Sequence, residues 1–413
     1  MGNNVLVFDP VNSFYPVNLG MKLAQRLAGQ CVVVGFNPGS ILYTTGLNVL
    51  YESPFEQKKI DLSELEMSND NLMGLHCKIN SIDISGDYKD PLIKYIIDYI
   101  RFLLNKYSPK FIICYNDLRV PAQILNFFFK DEVNIINLEL GPIRGRTVSF
   151  DKEGCNERSS FSKGDCDFNL SGLDYFEKKL ELYDFSDLFL VFMKFKNNIF
   201  FLMYVVYIYW LFLFDREKVF FVHKIPSVIY YAKRFFMFRR NKKRCFIVGK
   251  GEHVVYVPLQ LEHDTQFLSN IFFDSNNEFV DWIKKNFDLD KYCFLIRPHP
   301  LDVNNYEGVG EANNKTNEDA LDECDVILTI NSTVGFEGLK KGKKVFCLGR
   351  SFYTSLEGVT IIEDIGKDID LNNKHGVVSV DGFQNMCLFG DLYLFNEKQI
   401  VDSVELIIKA YHT

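Results

Sequence analysis

Short apolar runs, each followed by a helix-like stretch, recur in both halves of this chain. In the first half "VLVFD" and "CVVVGF" flank "VNLGMKLAQRLAGQ", and "DPLIKYIIDYIRFLLNKYSP" leads into "KFIICYND" and then "DEVNIINLELGP". In the second half "VVYVPLQ", "CFLIRPHP", "DVILTI" and "KVFCLG" repeat the scheme. A strand that is apolar at every position buries both faces. Strands of that kind alternating with helices predict open parallel sheets covered by helices. At 413 residues the chain is long enough for two such cores.

Two Rossmann-like domains facing a cleft is the glycosyltransferase B (GT-B) arrangement, and that is the predicted fold class. The boundaries read as 1–175 for an N-terminal Rossmann-like domain, 176–245 for a helical aromatic and basic segment, and 246–413 for a C-terminal Rossmann-like domain. Residues 151–175 are polar and rich in Gly and Ser, as a linker is. Asp165-Cys166-Asp167 within them has the D-x-D form of metal-dependent transferases, but no strand precedes it, so no metal and no cofactor are expected.

Aromatic residues reach 15% and crowd the middle of the chain. "NNIFFLMYVVYIYWLFLFDREK" holds an uninterrupted apolar part from Ile199 to Phe214. That falls short of the ~20 residues that span a bilayer, so a buried or membrane-surface helix is expected. "YYAKRFFMFRRNKKR" follows, with a basic cluster from Lys233 to Arg244. The formal net charge is −8, which argues against a general nucleic-acid partner. A basic patch on such a chain fits an anionic membrane surface; a solvated helix face is the plainer alternative. Ten Cys lie scattered, several inside apolar runs, as in a reducing compartment. "MGNNVLVFDP" enters a strand directly, with no signal-peptide pattern. The expected location is cytoplasmic, peripheral on the inner face of the membrane.

In "LTINSTVGFEGLKKGKKVFCLG" an apolar strand breaks into Asn331-Ser332-Thr333 just where a helix begins. Ser and Thr there can cap the helix, or a helix start at the carboxyl end of a parallel strand can bind an anion; both readings stand. Polar groups also follow the strands at "PLQLEHDTQ" and "RPHP". His299, held between two prolines beside Arg297, is a candidate phosphate ligand. Asp264 can serve as nucleophile or base, or cap a helix starting near Thr265. Glu262 and His263 beside it also fit simple surface polarity.

Taken together, "VPLQLEHDTQ", "RPHP" and "NSTVGFEGLKKGKKVFCLGRSFY" resemble the capsule polysaccharide synthesis family, which includes bacterial β-Kdo transferases acting on a lipid-linked Kdo linker. "YNDLRVPAQ" is similar to the family's Gly-Asp-Cys-Arg segment and supplies Asp117 and Arg119. "LELGPIRG" is similar to its Glu-acid-Gly segment and supplies Glu139 and Arg144. His223 stands where the family has a histidine between its domains. Leu140 departs from the family's second acid, and no His lies near Ala122.

The resemblance implies CMP-Kdo as donor, retention of the β configuration, and a lipid-linked or saccharide acceptor. It assigns Gln260, Arg297, His299, Asn331, Ser332, Thr333 and Glu337 to the nucleotide, with Glu337 accepting from ribose hydroxyls. Asp264 is the candidate nucleophile, and Glu139 and Asp117 are candidates for activating the acceptor. Arg119, Arg144 and His223 are candidates for holding it. Two alternatives remain: a GT-B transferase using a UDP- or other nucleotide sugar, and a non-catalytic membrane-attached assembly or export subunit.

Overall fold

The structure is a computed structural model. It describes residues 2–10, 13–54, 91–163, 179–180, 183, 185–215, 244–262, 264–268, 272–302, 304, 306, 310–312, 315–365, 371 and 386–412. The chain divides into two compact units. The first comprises residues 1–160, 165–225 and 382–413, and the second residues 161–164 and 226–381.

The first unit opens with β1 (Asn4–Phe8), α1 (Tyr15–Arg26), β2 (Cys31–Val34) and β3 (Leu50–Glu52). It continues with α2 (Pro91–Tyr107), β4 (Pro109–Tyr115), α3 (Val120–Phe128), β5 (Asn134–Leu140), β6 (Thr147–Asp151) and α4 (Asp187–Phe214). Strands β5, β4, β1, β2 and β3 lie side by side in that order, all parallel. Val5, Leu6 and Val7 on β1 and Val32, Val33 and Val34 on β2 are wholly buried, because helices cover both faces. β6 joins β5 antiparallel.

The second unit holds β7 (Cys245–Val248), β8 (His253–Pro258), α5 (Thr265–Leu268), α6 (Asn276–Asn286), β9 (Tyr292–Arg297) and β10 (Gly310–Ala312). After these come α7 (Asn317–Glu323), β11 (Val326–Thr329), α8 (Val334–Lys340), β12 (Lys344–Cys347) and β13 (Val359–Ile361). Its sheet runs β10-β7-β9-β8-β11-β12-β13, with β9, β8, β11, β12 and β13 parallel and β7 antiparallel to both of its neighbours, β9 and β10. All four second-half strands predicted above are present, as β8, β9, β11 and β12.

The C-terminal boundary differs from the predicted 246–413. β14 (Cys387–Phe389) pairs antiparallel with β6, and α9 (Glu397–His412) packs beside α1, so the last stretch completes the first unit. The Tyr15 hydroxyl donates to the Phe389 carbonyl at 2.8 Å, deep in that core. Burial drives the return: Leu388, Leu392, Ile400, Val404 and Ile407 join the cluster built on Val5, Val7 and Ile113.

Nor does 176–245 form a segment of its own in its described part. α4 begins at a Ser186 cap that accepts from Phe189 N–H, well before the predicted Ile199. From Leu188 to Phe214 it is long and apolar enough to cross a membrane, with mean hydropathy 1.7. One side of it docks on the first unit. Tyr204, Val205, Ile208 and Leu211 are buried, and the Asn37 amide donates to the Tyr204 hydroxyl at 3.0 Å. The opposite stripe, which includes Leu188, Phe192, Phe195, Leu202, Val206, Trp210 and Leu213, is exposed. Two apolar stripes on opposite faces suit one buried side and one non-aqueous neighbour.

Candidate functional site

In the second unit the strand order reverses between β8 and β11: β8 leads to β9 on one side, and β11 leads to β12 on the other. Ligands of doubly wound sheets enter at such a switch, off the carboxyl ends of the strands. Gln260 and Asn331 leave those two ends and meet. The Gln260 carbonyl oxygen Oε1 accepts from Asn331 N–H at 3.3 Å, and the Asn331 amide donates to the Gln266 carbonyl at 2.9 Å. Asn331 Oδ1 is buried and has no hydrogen-bond partner among the described residues. Behind them the buried Asn276 holds the loop, donating to the Gln260 carbonyl at 2.8 Å and to Glu262 Oε1 through its backbone at 2.7 Å.

The start of α8 shows the capping side of the Asn-Ser-Thr motif. Thr333 occupies the cap position without a side-chain cap bond, while the Ser332 hydroxyl accepts from Val334 N–H at 3.3 Å. The Tyr353 hydroxyl donates to the Ser332 carbonyl at 2.5 Å and fixes the turn from beneath. This close approach needs glycine at 335, since a Cβ there would lie 2.4 Å from the Tyr353 hydroxyl oxygen. A Cβ at 338 would lie 1.9 Å from Ile327 Cδ1, so Gly338 lets α8 settle on β11. The two glycines of the motif are thus packing residues.

His299 follows β9. Its Nδ1 accepts from Leu301 N–H at 3.1 Å, so the neutral ring carries its proton on Nε2. Arg297 is tied by Nη1 to the Lys315 carbonyl at 3.0 Å. Glu337 lies on α8, where its Oε2 accepts from the Asn317 amide at 2.7 Å. Asn317 Oδ1 in turn accepts from the buried Tyr256 hydroxyl at 2.7 Å. This Tyr256–Asn317–Glu337 chain was not legible beforehand, because Asn317 sits in an Asn-rich run that reads as an exposed loop. Asp264 is exposed, and its Oδ1 accepts from Gln266 N–H at 3.0 Å, which is the capping contact at the start of α5. His263 lies outside the described residues, as do His223 and Asp165-Cys166-Asp167. No metal-binding cluster of three His, Cys, Asp or Glu occurs among the described residues.

The first unit has its own switch, between β1 and β4. Asp117 and Arg119 follow β4, and Glu139 lies at the end of β5, so these predicted residues leave adjacent strands. Asp117 is buried: Oδ2 accepts from Cys155 N–H at 3.1 Å and lies 3.9 Å from Arg158 Nη1, while Oδ1 has no partner among the described residues. Burial pushes its carboxyl up to about 6, against the opposing pull of Arg158. The Arg119 guanidinium stands 5.5 Å from the centre of the Tyr115 ring. Glu139 Oε1 accepts from Leu140 N–H at 2.9 Å, and Leu140 is half-buried beside it. Arg144 is exposed, with its charge acting on Asp391.

Asp9, off the end of β1, was missed. Its backbone is left-handed at φ +39°, and Oδ1 accepts from Asn37 N–H at 2.8 Å. Burial pushes its carboxyl up to about 6, with Arg119 acting in the opposite sense. The signal was present in "VLVFDP", an acid at a strand end, but Asp before Pro also reads as turn punctuation.

These two carboxyls give the first unit a pH dependence of definite sign. Each stays protonated in the fold above the pH at which it ionises in the unfolded chain. Their stabilisation is therefore complete below about pH 4 and lost as pH rises through about 6. Each accounts for roughly 3 kcal/mol. Urea midpoints measured from pH 4 to 7 are expected to fall over this window, and Asp9→Asn and Asp117→Asn should each flatten the fall.

Two doubly wound units, each with polar residues at its own switch, are the module content of the GT-B glycosyltransferase fold. Residues 237–367 match the family model described as Capsule polysaccharide biosynthesis protein. A curated relative is similar over 138 residues at 28% identity: Protein FixF of Sinorhizobium fredii (strain NBRC 101917 / NGR234). The match covers 31% of this chain and about a third of that protein, 34%.

Among solved structures, the chain is similar to the Thermosulfurimonas dismutans KpsC, a beta Kdo 2,7 transferase. The identity is 16% and the TM-score 0.33, covering 67% of this chain and 76% of that one. It is also similar to the UDP-GlcNAc 2-epimerase of Neisseria meningitidis bound to UDP-GlcNAc. There the identity is 10% and the TM-score 0.28, over 99% of each chain. The fold assignment rests on the two sheet topologies themselves.

Proposed function

We propose that the chain is a retaining β-Kdo glycosyltransferase that moves Kdo from CMP-Kdo to a lipid-linked or saccharide acceptor in capsule or surface polysaccharide synthesis. The observation that carries this reading is the capsule biosynthesis match over residues 237–367, which contain the whole β8/β11 crevice. Breaking the bond from the anomeric carbon to the phosphate oxygen leaves negative charge on CMP. His299 Nε2–H, the Ser332 and Thr333 hydroxyls and Arg297 are assigned to that charge. Gln260 and Asn331 hold the crevice floor, and Glu337, already oriented by Asn317, accepts from the ribose hydroxyls.

Retention follows from two inversions. The Asp264 carboxylate attacks the anomeric carbon as CMP departs, forming a glycosyl ester. An acceptor hydroxyl, giving its proton to a carboxylate, then displaces Asp264. Asp117, with a carboxyl near 6, suits the proton-accepting role; Glu139 is the second candidate. Arg119, Arg144 and His223 are assigned to the acceptor's acidic groups. No metal or other cofactor is assigned. The chain is placed at the inner face of the cytoplasmic membrane, in keeping with the exposed apolar stripe of α4. Most of the basic cluster lies outside the described residues. Arg244, at its end, has its guanidinium 4.5 Å from the centre of the Phe246 ring.

Leu140, where the family has a second acid, leaves acceptor activation to Glu139 or Asp117; a second reading keeps the fold but uses a different nucleotide sugar. The non-catalytic alternative predicts neither donor binding nor turnover. Incubating the purified chain with CMP-Kdo, UDP-sugars and GDP-sugars, and measuring the nucleotide released, separates the three. Release of CMP alone is expected. Release of UDP would transfer the reading to the second, and no release from any donor, with or without acceptor, would favour the third.

A further inference from the structure

Beside the N-terminal half of α4, the first unit has a groove of about 450 Å³ between α1, α4 and the start of α9. One side of its wall is apolar, with Phe14 and Met21 from the α1 side, Phe189 and Met193 from α4, and Phe395 and Ile400 from the C-terminal return; Asn18, Thr45, Asn396 and Glu397 line the rest. Among these stands Lys196. Its ammonium sits 4.2 Å from the centre of the Phe14 ring, and it forms no ion pair among the described residues. The other lysine of the groove, Lys22, is already neutralised by Glu397 at 2.6 Å.

A lysine on a surface helix ordinarily extends its ammonium to water while its stem covers apolar area. Lys196 instead lies in the groove wall, where loss of water pushes its ammonium down from the usual lysine range. A half-buried cation that pairs with no carboxylate among the described residues, set against apolar side chains, is complementary to an anion joined to a hydrocarbon chain. Free phosphate matches the cation but leaves the slot unfilled, and an uncharged chain fills the slot but leaves the cation unpaired. The neighbourhood identifies the source. The exposed stripe of α4 starts at Leu188 beside the groove and continues through Phe192 and Phe195 to Phe214 without a carboxylate.

We propose that this groove is a binding site for one anionic membrane lipid, with the headgroup on Lys196 and part of an acyl chain against Met193, Phe189 and Phe395. The site is separate from both strand-switch crevices and stands whether or not the chain transfers a sugar.

Calorimetric titration of the full chain with octyl phosphate below its micellar concentration tests it. Octyl phosphate is expected to bind one to one, and inorganic phosphate at the same concentration should neither bind nor compete. Vesicles of phosphatidylcholine and phosphatidylglycerol should displace octyl phosphate, and vesicles of phosphatidylcholine alone should not. Lys196→Met, which keeps the packing on Phe14, is expected to weaken octyl phosphate at least ten-fold and leave octyl glucoside unchanged. Met193→Trp, which fills the slot and leaves the ammonium in place, should abolish binding of both. Thermal melting confirms that each variant folds. Unchanged octyl phosphate affinity in both folded variants would overturn the site. Competition by inorganic phosphate, or failure of the mixed vesicles to displace the probe, would overturn the lipid as its ligand.

Discussion

His299→Ala is expected to lower turnover by about 10²–10³-fold while leaving the fold intact, the usual loss when one preorganised donor to a developing anion is removed. The argument starts from the chain. Prolines on both sides deny residue 299 a helical continuation, and β9 delivers it at a carboxyl end of the sheet. The bond from Leu301 N–H to Nδ1 then settles the tautomer, so the donor is Nε2–H. An alanine loses both functions, the brace and the donor. His299→Gln separates them, because its amide reaches further than Asn but does not reproduce the Nδ1 brace. It should recover part of the lost turnover if donation matters and none if only the brace does. Steady-state rates with CMP-Kdo, alongside CMP affinity, provide the measurement. Wild-type rates in a folded Ala variant would take His299 out of the site.

The second large effect is expected at Asp264. Asp264→Asn should keep its fold and bind CMP as the parent does, yet lose turnover by roughly 10⁴–10⁶-fold, the range seen when a member of a nucleophilic machinery is removed. The capping contact to Gln266 N–H makes this a sharp test. Asn caps a helix about as well as Asp, so the substitution preserves the structural role and removes only the nucleophile. Mass spectrometry of the parent with donor and no acceptor should find a Kdo adduct on the peptide containing Asp264. An active Asn variant would reduce Asp264 to a cap.

Much of the architecture was legible because parallel strands are buried on both faces, and uninterrupted runs such as "VVYVPLQ" and "KVFCLG" fit few positions in a fold besides the middle of such a sheet. The polar residues at their ends were legible for the same reason: a strand end fixes where the next side chain emerges. Gln260, Asn331 and Ser332 lie together at one strand switch because β8 and β11 are neighbours. Other features left weaker marks. α4 looked short because Lys194, Lys196, Asn197 and Asn198 interrupt its apolar run, although the Ser186 cap starts the helix well before them. Asp9 looked like punctuation before a proline. Asn317 became part of a site only through Tyr256, a partner 61 positions away.

β14 was the least visible element. Three residues, Cys387–Phe389, carry no periodicity, and their partner strand lies far back at Thr147–Asp151. The return has a consequence for how the protein is made. Synthesis runs from the amino end, and residues 226–381 leave the ribosome before 382–413 do. The second unit therefore has all of its strands while the first still lacks an edge strand and the helix that covers α1. During that interval β6 presents an unpaired edge, and the apolar surface that Leu388, Ile400 and Ile407 will cover is open to water. Domains that emerge whole can fold in turn during translation. Here the unit begun first is finished last, with an open sheet edge and uncovered apolar surface until residues 382–413 arrive.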